Sequence, residues 1–328
     1  MNRLVLGLDG GGTQTRAAVA DASDTPIGQG VSGACNLAAV PPAEALGNAL
    51  TAADAALTAS GAGRADVLSV NAGVAGFSHT GRRAQFAQGL QAAFPNARIA
   101  VEPDYVIALA GATGGRPGVI VIAGTGSAAY GENAAGETHR TGAYGYLIDD
   151  GGSGYGVGRG AIAAVLAAAD GTGPPTSLTE RVLPALGLAS ITEIVPGVYG
   201  GGVSRVRIAA LSQVVAEAAT ADSDPIARAL LMRAGGTLAQ LVQGVTRRLF
   251  ANGSAEFPVV QIGGLWSAGD ALTDVFARSL RRFAPSAVVA APQASPLIGA
   301  VQRAQAAADK KYPLPLDNMD SRRVSSQS

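Results

Sequence analysis

The sequence predicts an α/β fold in which two related domains each contain a largely parallel sheet. Apolar strand segments alternate with helical segments along the chain, the pattern typical of α/β proteins. One device occurs twice: a strand, a Gly/Thr turn and a second strand, in LVLGLDGGGTQTRAAV and in VIVIAGTGSAAYG. At 328 residues the chain is long enough for two domains with separate cores. The repetition therefore predicts a duplicated domain.

In the first half, strands are predicted at LVLGLD, TRAAVAD, VLSVNAGVAG and ARIAVEPD. Helices are predicted over 42–60, which follows two prolines and precedes GAG, over 80–93, and from about Tyr105. The GGRPG stretch over 114–118 is a predicted domain boundary, because the strand–turn–strand device starts again directly after it.

The second half continues with a glycine-dense loop, GAYGYLIDDGGSGYGVGRG, and helices over 161–170, 203–221 and 225–250. Strands follow at FPVVQIGG and AVVAA, and a last helix follows PLIG. This order predicts domains over 1–115 and 116–308, with the final helix (about 296–308) a candidate to pack back on the N-terminal domain. A disordered polar tail is predicted over 309–328.

Composition excludes several functional classes. The formal net charge is zero, so nothing indicates a nucleic-acid partner or an anionic membrane surface. No apolar run approaches the roughly 20 residues that span a bilayer, and the N-terminus lacks the pattern of a signal peptide. We therefore expect a cytoplasmic protein with no membrane partner.

Rare residues restrict the chemistry further. Cys35 is the only cysteine and there are two histidines, which excludes a disulfide framework and argues against a zinc centre. The only lysines are Lys310 and Lys311, so the chain has neither a Walker A lysine nor the strand lysine of protein kinases. Any nucleotide phosphate must be bound by backbone amides, hydroxyls and a metal ion.

Several residues allow a structural and a functional interpretation. Asp9 can cap a hairpin turn or bind a metal ion, and the glycines after it can form a tight turn or a phosphate-binding loop. Asp104 ends an apolar strand and starts a helix, so it can be an N-cap or a catalytic base at the carboxyl edge of a sheet. Asn36 can be a turn residue or a ligand-binding amide.

Taken together, the motifs GLDGGGTQTR, VEPD, VIVIAGTGS, GAYGYLIDDGGSGYGVGR, VVQIGGLW and PLIGA resemble the N-acetylglucosamine kinase and BadF-type branch of the sugar kinase/actin/Hsp70 superfamily. The resemblance covers roughly residues 4–307. It implies two ribonuclease H-like (actin-like ATPase) domains with an interdomain cleft, ATP at its base and a sugar between the domains.

The resemblance also implies how ATP and Mg²⁺ are bound. Asp9 is expected to hold Mg²⁺, through water, because this ion keeps several waters and takes few carboxylates. The first phosphate loop is expected at Gly10, Gly11, Gly12 and Thr13, and the second at Gly124, Thr125, Gly126 and Ser127. The adenosine motif is expected at Gly263 and Gly264. The alternative for the last pair is an ordinary strand-to-helix turn.

For the sugar, the resemblance implies that Asp104 is the catalytic base and contacts the acceptor. The other expected sugar contacts are Asn36, Ala143, Tyr144, Gly145 and Asp150. The chain departs from the family pattern at four positions. Asp149 and Gly151 stand where Gly and Glu are usual, and Tyr144 replaces a common tryptophan. Gly156 stands where many relatives have a bulky aromatic residue. These changes surround the sugar, so they leave its identity open.

The predicted function is an ATP-dependent amino-sugar kinase that phosphorylates the 6-hydroxyl of N-acetylglucosamine. Glucosamine is the nearest alternative substrate and N-acetylmuramic acid a more distant one. A reductase-activating ATPase of the BadF type is an alternative from another class. Such proteins hold a bridging iron–sulfur cluster through cysteines from each subunit, and the single cysteine of this chain, Cys35, argues against that function. A repressor of the related ROK type is a further alternative, but it would need an N-terminal DNA-binding module, and none is predicted in this sequence. The resemblance also implies a homodimer.

Overall fold

The computed structural model describes residues 4–22, 25–77, 80–250 and 255–309. The chain divides into two compact units. Unit 1 comprises Met1–Arg116 and Pro292–Ser328, and unit 2 comprises Pro117–Ala291. The last helix therefore belongs to unit 1, and unit 2 ends before it rather than at residue 308. Apart from Asp309, the predicted tail over 309–328 lies outside the described residues.

In its described residues, unit 1 contains a five-stranded sheet and four α-helices. In chain order its elements are β1 (Leu4–Gly10), β2 (Thr15–Ala20), β3 (Gly28–Ser32), α1 (Pro42–Ser60), β4 (Val67–Val74), α2 (Thr80–Ala93), β5 (Arg98–Pro103), α3 (Asp104–Thr113) and, from the end of the chain, α10 (Pro296–Ala308). The strand order is β3-β2-β1-β4-β5. β1, β2 and β3 pair antiparallel, whereas β1, β4 and β5 run parallel.

Alternation along β1 builds two core layers, one on each face of the sheet. Leu4, Leu6 and Leu8 are buried on the face covered by α1. Val5 points to the opposite face, where it packs against Leu297 and other apolar residues of α10. Helix α10 is thus an integral layer of unit 1, although more than 280 residues separate it from β1.

The described part of unit 2 contains a second five-stranded sheet and six α-helices. Its elements are β6 (Gly118–Ala123), β7 (Ser127–Glu132), β8 (Thr138–Gly142), α4 (Gly154–Ala169), α5 (Leu178–Leu186), α6 (Ile194–Tyr199), α7 (Arg205–Ala221), α8 (Pro225–Leu249), β9 (Phe257–Ile262), α9 (Asp270–Phe283) and β10 (Ala287–Ala290). The order β10-β9-β6-β7-β8 and the strand directions repeat those of the first sheet. The predicted α/β fold with two related domains is confirmed.

Helix α4 begins seven residues earlier than predicted, at Gly154 instead of Ala161. The Ser153 side chain caps it by accepting a hydrogen bond from the Gly156 N–H at 3.1 Å. The glycines are compatible with a helix because α4 packs closely on α7: a Cβ at Gly158 would collide with the Ile208 carbonyl. The glycine-dense stretch is therefore partly a helix interface and not only a loop.

The short edge strands β3 and β8 and the helices α5, α6 and α9 were not predicted. β3 has the sequence GQGVS and β8 the sequence THRTG, neither of which has the apolar alternation of a typical strand. They are strands because β2 and β7 offer them a free edge.

Among the described residues, no single helix combines the length and apolar character needed to cross a membrane. Only the two consecutive segments Leu178–Leu186 and Ile191–Tyr199, taken together, reach that length and apolar character among the described residues, and the chain bends by 52° between them.

Candidate functional site

In unit 1 the parallel strands β1, β4 and β5 end at one edge of the sheet. Asp9 is opposite Gly73, and Gly73 is opposite Glu102, so Asp9 and the residues that follow β5 lie at this edge. Strands two places apart in a sheet are separated by roughly 10 Å. The structure thereby brings Asp9 and Asp104, the first residue of α3, to the same edge, where α/β proteins bind ligands.

The first loop, residues 10–13, connects β1 to β2 in a tight turn closed by a hydrogen bond from the Gly11 N–H to the Gln14 carbonyl at 3.0 Å. Gly12 and Thr13 are exposed. Within the described residues, the N–H groups of Gly12 and Thr13 have no hydrogen-bond acceptor. These amides are available to an anion.

The glycines of this loop are needed for different reasons. A Cβ at Gly10 would lie 3.0 Å from the Cβ of Cys35 and 3.2 Å from Val74, so this glycine permits core packing. A Cβ at Gly12 would meet only the Asn36 amide, at 3.9 Å. Packing thus requires a glycine at position 10 but not at position 12, where the space remains open for a ligand.

Asp9 is a half-buried carboxylate without a hydrogen-bond or ion-pair partner in the described part of the chain. Desolvation raises the pKa of Asp9, and the positive charge of Arg16 opposes this in part. No group of three or more His, Cys, Asp or Glu side chains that could enclose a metal occurs in the described residues. A single free carboxylate beside a loop with unpaired amides nevertheless fits Mg²⁺, which binds through one or two carboxylates, water and substrate phosphates.

Asp104 is the first helical residue of α3, and the N-cap position is occupied by Pro103, so Asp104 is not the N-cap. Its Oδ1 accepts a hydrogen bond from the Tyr105 N–H at 2.9 Å. Solvent reaches the carboxylate, yet surrounding protein atoms exclude enough water that desolvation raises the pKa of Asp104. The Tyr105 hydrogen bond opposes this increase, and the negative charge of Asp9 adds to it. Asp104 is therefore a stronger base than an isolated aspartate.

Asn36 lies above the same edge. Its segment is held by hydrogen bonds from the Cys35 N–H to Gly11 and from the Leu37 N–H to Ala75, both at 3.0 Å. The Asn36 Oδ1 accepts the Ala38 N–H at 2.9 Å, which is the turn interaction. Its Nδ2 has no partner among the described residues, so the side chain retains donors for a ligand.

In unit 2 the second loop, residues 124–127, occupies the equivalent position between β6 and β7. The Gly124 N–H donates to the Gly126 carbonyl at 3.0 Å, and the Gly154 N–H donates to the Gly124 carbonyl at 2.8 Å. The N–H groups of Thr125 and Gly126 have no acceptor in the described part of unit 2. Both loops thus present unpaired amides at the carboxyl edge of their own sheet.

Gly263 and Gly264 follow β9 at the same edge as the second loop, since Ile122 of β6 is opposite Ile262 of β9. Gly263 has φ 109°, and a Cβ there would collide with the Ala123 carbonyl. A Cβ at Gly264 would have no neighbouring atom within 4 Å. Gly263 is therefore required by the turn, and Gly264 leaves open space.

The predicted sugar segment of unit 2 forms a largely exposed loop after β8. Ala143 has φ 59°, Gly145 has φ 89° and the Tyr144 side chain is 58% exposed. Asp150, in contrast, is buried, and its Oδ1 accepts the Ser127 N–H at 2.9 Å. The Ala143 N–H donates to the Ser127 carbonyl at 3.0 Å. The structure thus brings both Ala143 and Asp150 to the second loop, through the carbonyl and the N–H of the same residue.

A pocket of about 70 Å³ adjoins this loop. The residues lining it include Tyr146, Asp149, Asp150, Gly151, Gly156 and Arg159. Sequence reasoning assigned no role to Tyr146 or Arg159, although both lie within the quoted stretch GAYGYLIDDGGSGYGVGR, because only the fold brings the first turns of α4 to the loop.

Two of the departures from the family pattern are spatially linked. A Cβ at Gly156 would lie 2.5 Å from the Asp150 carbonyl and 3.0 Å from the Gly151 Cα. The loop backbone thus occupies the space that a side chain at position 156 would need. The lack of a side chain at Gly156 and the path of the backbone at Gly151 therefore depend on each other in this chain.

Comparison with known proteins identifies relatives. The model of the BadF/BadG/BcrA/BcrD ATPase family matches residues 6–304. The chain is 34% identical over 212 residues to the N-acetylmuramic acid/N-acetylglucosamine kinase of Clostridium acetobutylicum, covering 65% of this chain and 69% of that protein. It is 32% identical over 202 residues to the N-acetyl-D-glucosamine kinase of Dictyostelium discoideum, covering 61% of this chain and 63% of that protein.

The crystal structure of a candidate N-acetylglucosamine kinase from Chromobacterium violaceum has a TM-score of 0.72 and is 28% identical, covering 92% of this chain and 98% of that one. The sequence alignments span about two thirds of the curated kinases, whereas the structural match extends over nearly the whole of both chains. Since the family model matches almost all of the described sequence, the chain belongs to the BadF/BadG/BcrA/BcrD ATPase family.

Proposed function

We propose that the protein is an ATP-dependent kinase that transfers the γ-phosphoryl group to the 6-hydroxyl of N-acetylglucosamine. The observation that carries this proposal is the edge of the first sheet, where Asp9 and Asp104 lie beside the unpaired amides of the first loop. Neither carboxylate has an ion-pair partner among the described residues. The activities of the two curated relatives support an amino sugar as the acceptor.

In this proposal the two loops bind the β- and γ-phosphates through backbone amides, with Thr13 and Thr125 adding hydroxyl donors. Gly263 and Gly264 lie against the adenosine. Asp9 holds Mg²⁺, which when bound neutralises part of the triphosphate charge. Phosphoryl transfer depends mainly on position and electrostatic stabilisation, which rigid backbone donors provide without a lysine.

Asp104 takes the proton of the attacking 6-hydroxyl through its Oδ2, because its Oδ1 accepts the Tyr105 N–H. A raised pKa suits this role, since a stronger base accepts the proton more readily. Asn36 contributes Nδ2 donors to the sugar hydroxyls. In unit 2, Asp150 and the exposed segment 143–145 are the proposed sugar contacts.

Glucosamine is the alternative acceptor. Asp149, which replaces a usual glycine, adds a carboxylate to the pocket beside Asp150. A negative charge there would favour an ammonium over an acetamido group. The sugar must therefore be identified by experiment.

A reductase-activating ATPase is the less favoured class. Cys35 is fully buried, and burial raises the pKa of its thiol to about 12. A thiol of this kind is a poor ligand for a cluster shared between subunits. The homodimer, which the family resemblance implies, and the cytoplasmic location, which was inferred from the sequence pattern, stay predictions.

The test is ADP release by the purified protein with MgATP and, in turn, N-acetylglucosamine, glucosamine, N-acetylmannosamine, N-acetylmuramic acid or glucose. Turnover that depends on an amino sugar and falls by about 10²–10⁴ in Asp104→Asn would support the proposal and identify the acceptor. ATP hydrolysis without any sugar dependence would contradict it.

A further inference from the structure

The carboxylate of Asp150 is bonded to the second loop. Its Oδ1 accepts the Ser127 N–H at 2.9 Å, and the residue is only 7% exposed. A Cβ at Gly126 would lie 3.3 Å from Oδ1 and 3.4 Å from Oδ2, so the backbone of the loop packs closely against the carboxylate. This buried contact joins segments that are 23 residues apart in the sequence.

Asp150 is itself held in place by the start of α4. Its carbonyl accepts hydrogen bonds from the Ser153 N–H at 3.0 Å and from the Ser153 hydroxyl at 2.6 Å. The next residue, Gly154, donates its N–H to the Gly124 carbonyl at 2.8 Å. The second loop is thus fastened at both ends to one rigid group, formed by Asp150 and the first turn of α4.

These bonds determine which donors of the loop remain free. The Ser127 N–H is used by Asp150 and the Gly124 N–H by Gly126, so within the described residues the unpaired amides are those of Thr125 and Gly126. Their direction depends on the anchor at Ser127.

We propose that Asp150 is a positioning residue that holds the second loop in its nucleotide-binding conformation through Oδ1. The other oxygen, Oδ2, has no partner in the described part of unit 2 and remains for a sugar hydroxyl. One carboxylate would then link the acceptor site to the phosphate site. This inference rests on the proposed nucleotide-binding role of the loop.

The charge of Asp150 predicts the direction in which nucleotide affinity changes when the residue is substituted. Asp150 places a negative charge beside a loop that binds an anion, so removing this charge alone should leave nucleotide affinity unchanged or increase it. A decrease in affinity on truncation can therefore come only from loss of the loop anchor. An asparagine separates the two effects, because its side-chain oxygen still accepts the Ser127 N–H without the charge.

The experiment measures binding of the non-hydrolysable analogue AMPPNP with Mg²⁺, in the absence of sugar, to the wild type, Asp150→Ala and Asp150→Asn by calorimetry. Asp149→Ala, which removes the neighbouring exposed carboxylate, is the matched control. Circular dichroism and thermal melting establish that each variant is folded. Hydrogen exchange of the peptide that contains residues 124–127 reports on the loop directly.

We expect about a tenfold loss of AMPPNP affinity and faster exchange of the loop in Asp150→Ala, the loss of one hydrogen bond to a charged group. Asp150→Asn and Asp149→Ala should bind within about twofold of the wild type or more tightly. Weaker sugar binding in Asp150→Asn would accompany intact nucleotide binding.

Unchanged affinity in a folded Asp150→Ala, or equal losses in Asp150→Ala and Asp150→Asn, would overturn the positioning role alone. A wild type that does not bind AMPPNP would instead overturn the proposed function, and with it this inference.

Discussion

Asp104, the proposed catalytic base, shows at the scale of a single residue how its surroundings make a carboxylate more basic. Desolvation and the charge of Asp9 raise its pKa above the ordinary value of 3.8. The protonated carboxyl cannot accept the proton of the sugar hydroxyl. We therefore predict that kcat/KM falls as the pH is lowered through this raised pKa, at a higher pH than an ordinary aspartate would give. A pH–rate profile measures the midpoint, and one at or below 3.8 would contradict the assignment.

The same shift has a consequence for stability. Because the folded-state pKa of Asp104 is raised, the ionised side chain destabilises the fold above that pKa, and the cost is relieved as the pH falls towards 3.8. Asp104→Asn should thus raise Tm at pH 7, with a smaller gain near pH 4; thermal melting at the two pH values measures the difference. Asp222→Asn is the control, for which Tm at pH 7 should change in the opposite direction. The hydrogen bond with Arg181 lowers the pKa of Asp222, so the ionised side chain stabilises the fold and its removal should lower Tm.

The first loop allows a second test at this scale. Gly12→Ala should keep Tm within about 1 °C of the wild type, because the new Cβ has open space, but should weaken ATP binding by obstructing the anion site. Gly10→Ala should instead lower stability by about 1–3 kcal/mol, since its Cβ would press on Cys35. Melting curves and nucleotide titrations of both variants check this separation, and a Gly12→Ala variant that binds ATP normally would argue against a phosphate loop.

Pairs of elements are held together by interactions that the motifs do not reveal. The guanidinium of Arg303 on α10 makes two hydrogen bonds of 2.5 Å to the buried carboxylate of Glu102 on β5, which also accepts the Asn71 side chain at 2.8 Å. Arg303→Met would leave a buried charge unpaired, and we predict a loss of about 3–5 kcal/mol in the free energy of unfolding.

Arg64→Met is the matched control for this prediction. Its partner Asp54 is half exposed, so the loss should stay below about 1 kcal/mol. Urea unfolding of both variants measures the difference. Equal effects would show that burial of the Glu102 carboxylate does not determine the cost.

The elements also show where sequence reasoning succeeds. The strands that precede both loops were predicted because an apolar run ends in a Gly/Thr turn, and Asp104 was placed at the start of α3 to within one residue. The early start of α4 was missed because glycine disfavours helices by propensity, and only the close packing of Gly158 on α7 explains it. The bond between Asp150 and Ser127 could not be predicted, because it is a tertiary contact.

For the molecule as a whole, the repeated strand–turn–strand device was the most informative feature of the sequence. Two sheets with the same strand order and directions follow from it, each with a Gly/Thr loop at the carboxyl edge. Duplication, however, does not reveal the sugar. Asp149, Gly151 and Gly156 depart from the pattern expected for the family and line one pocket, whose shape depends on the backbone of this chain.

The most direct test of the central claim is identification of the reaction product by mass spectrometry and ³¹P NMR after incubation with MgATP and N-acetylglucosamine. The proposed function predicts a sugar monophosphate whose phosphorus couples to the two protons on C6, formed in a one-to-one ratio with ADP and absent with Asp104→Asn. Inorganic phosphate as the only new phosphorus species besides ADP, formed at the same rate without sugar, would contradict it.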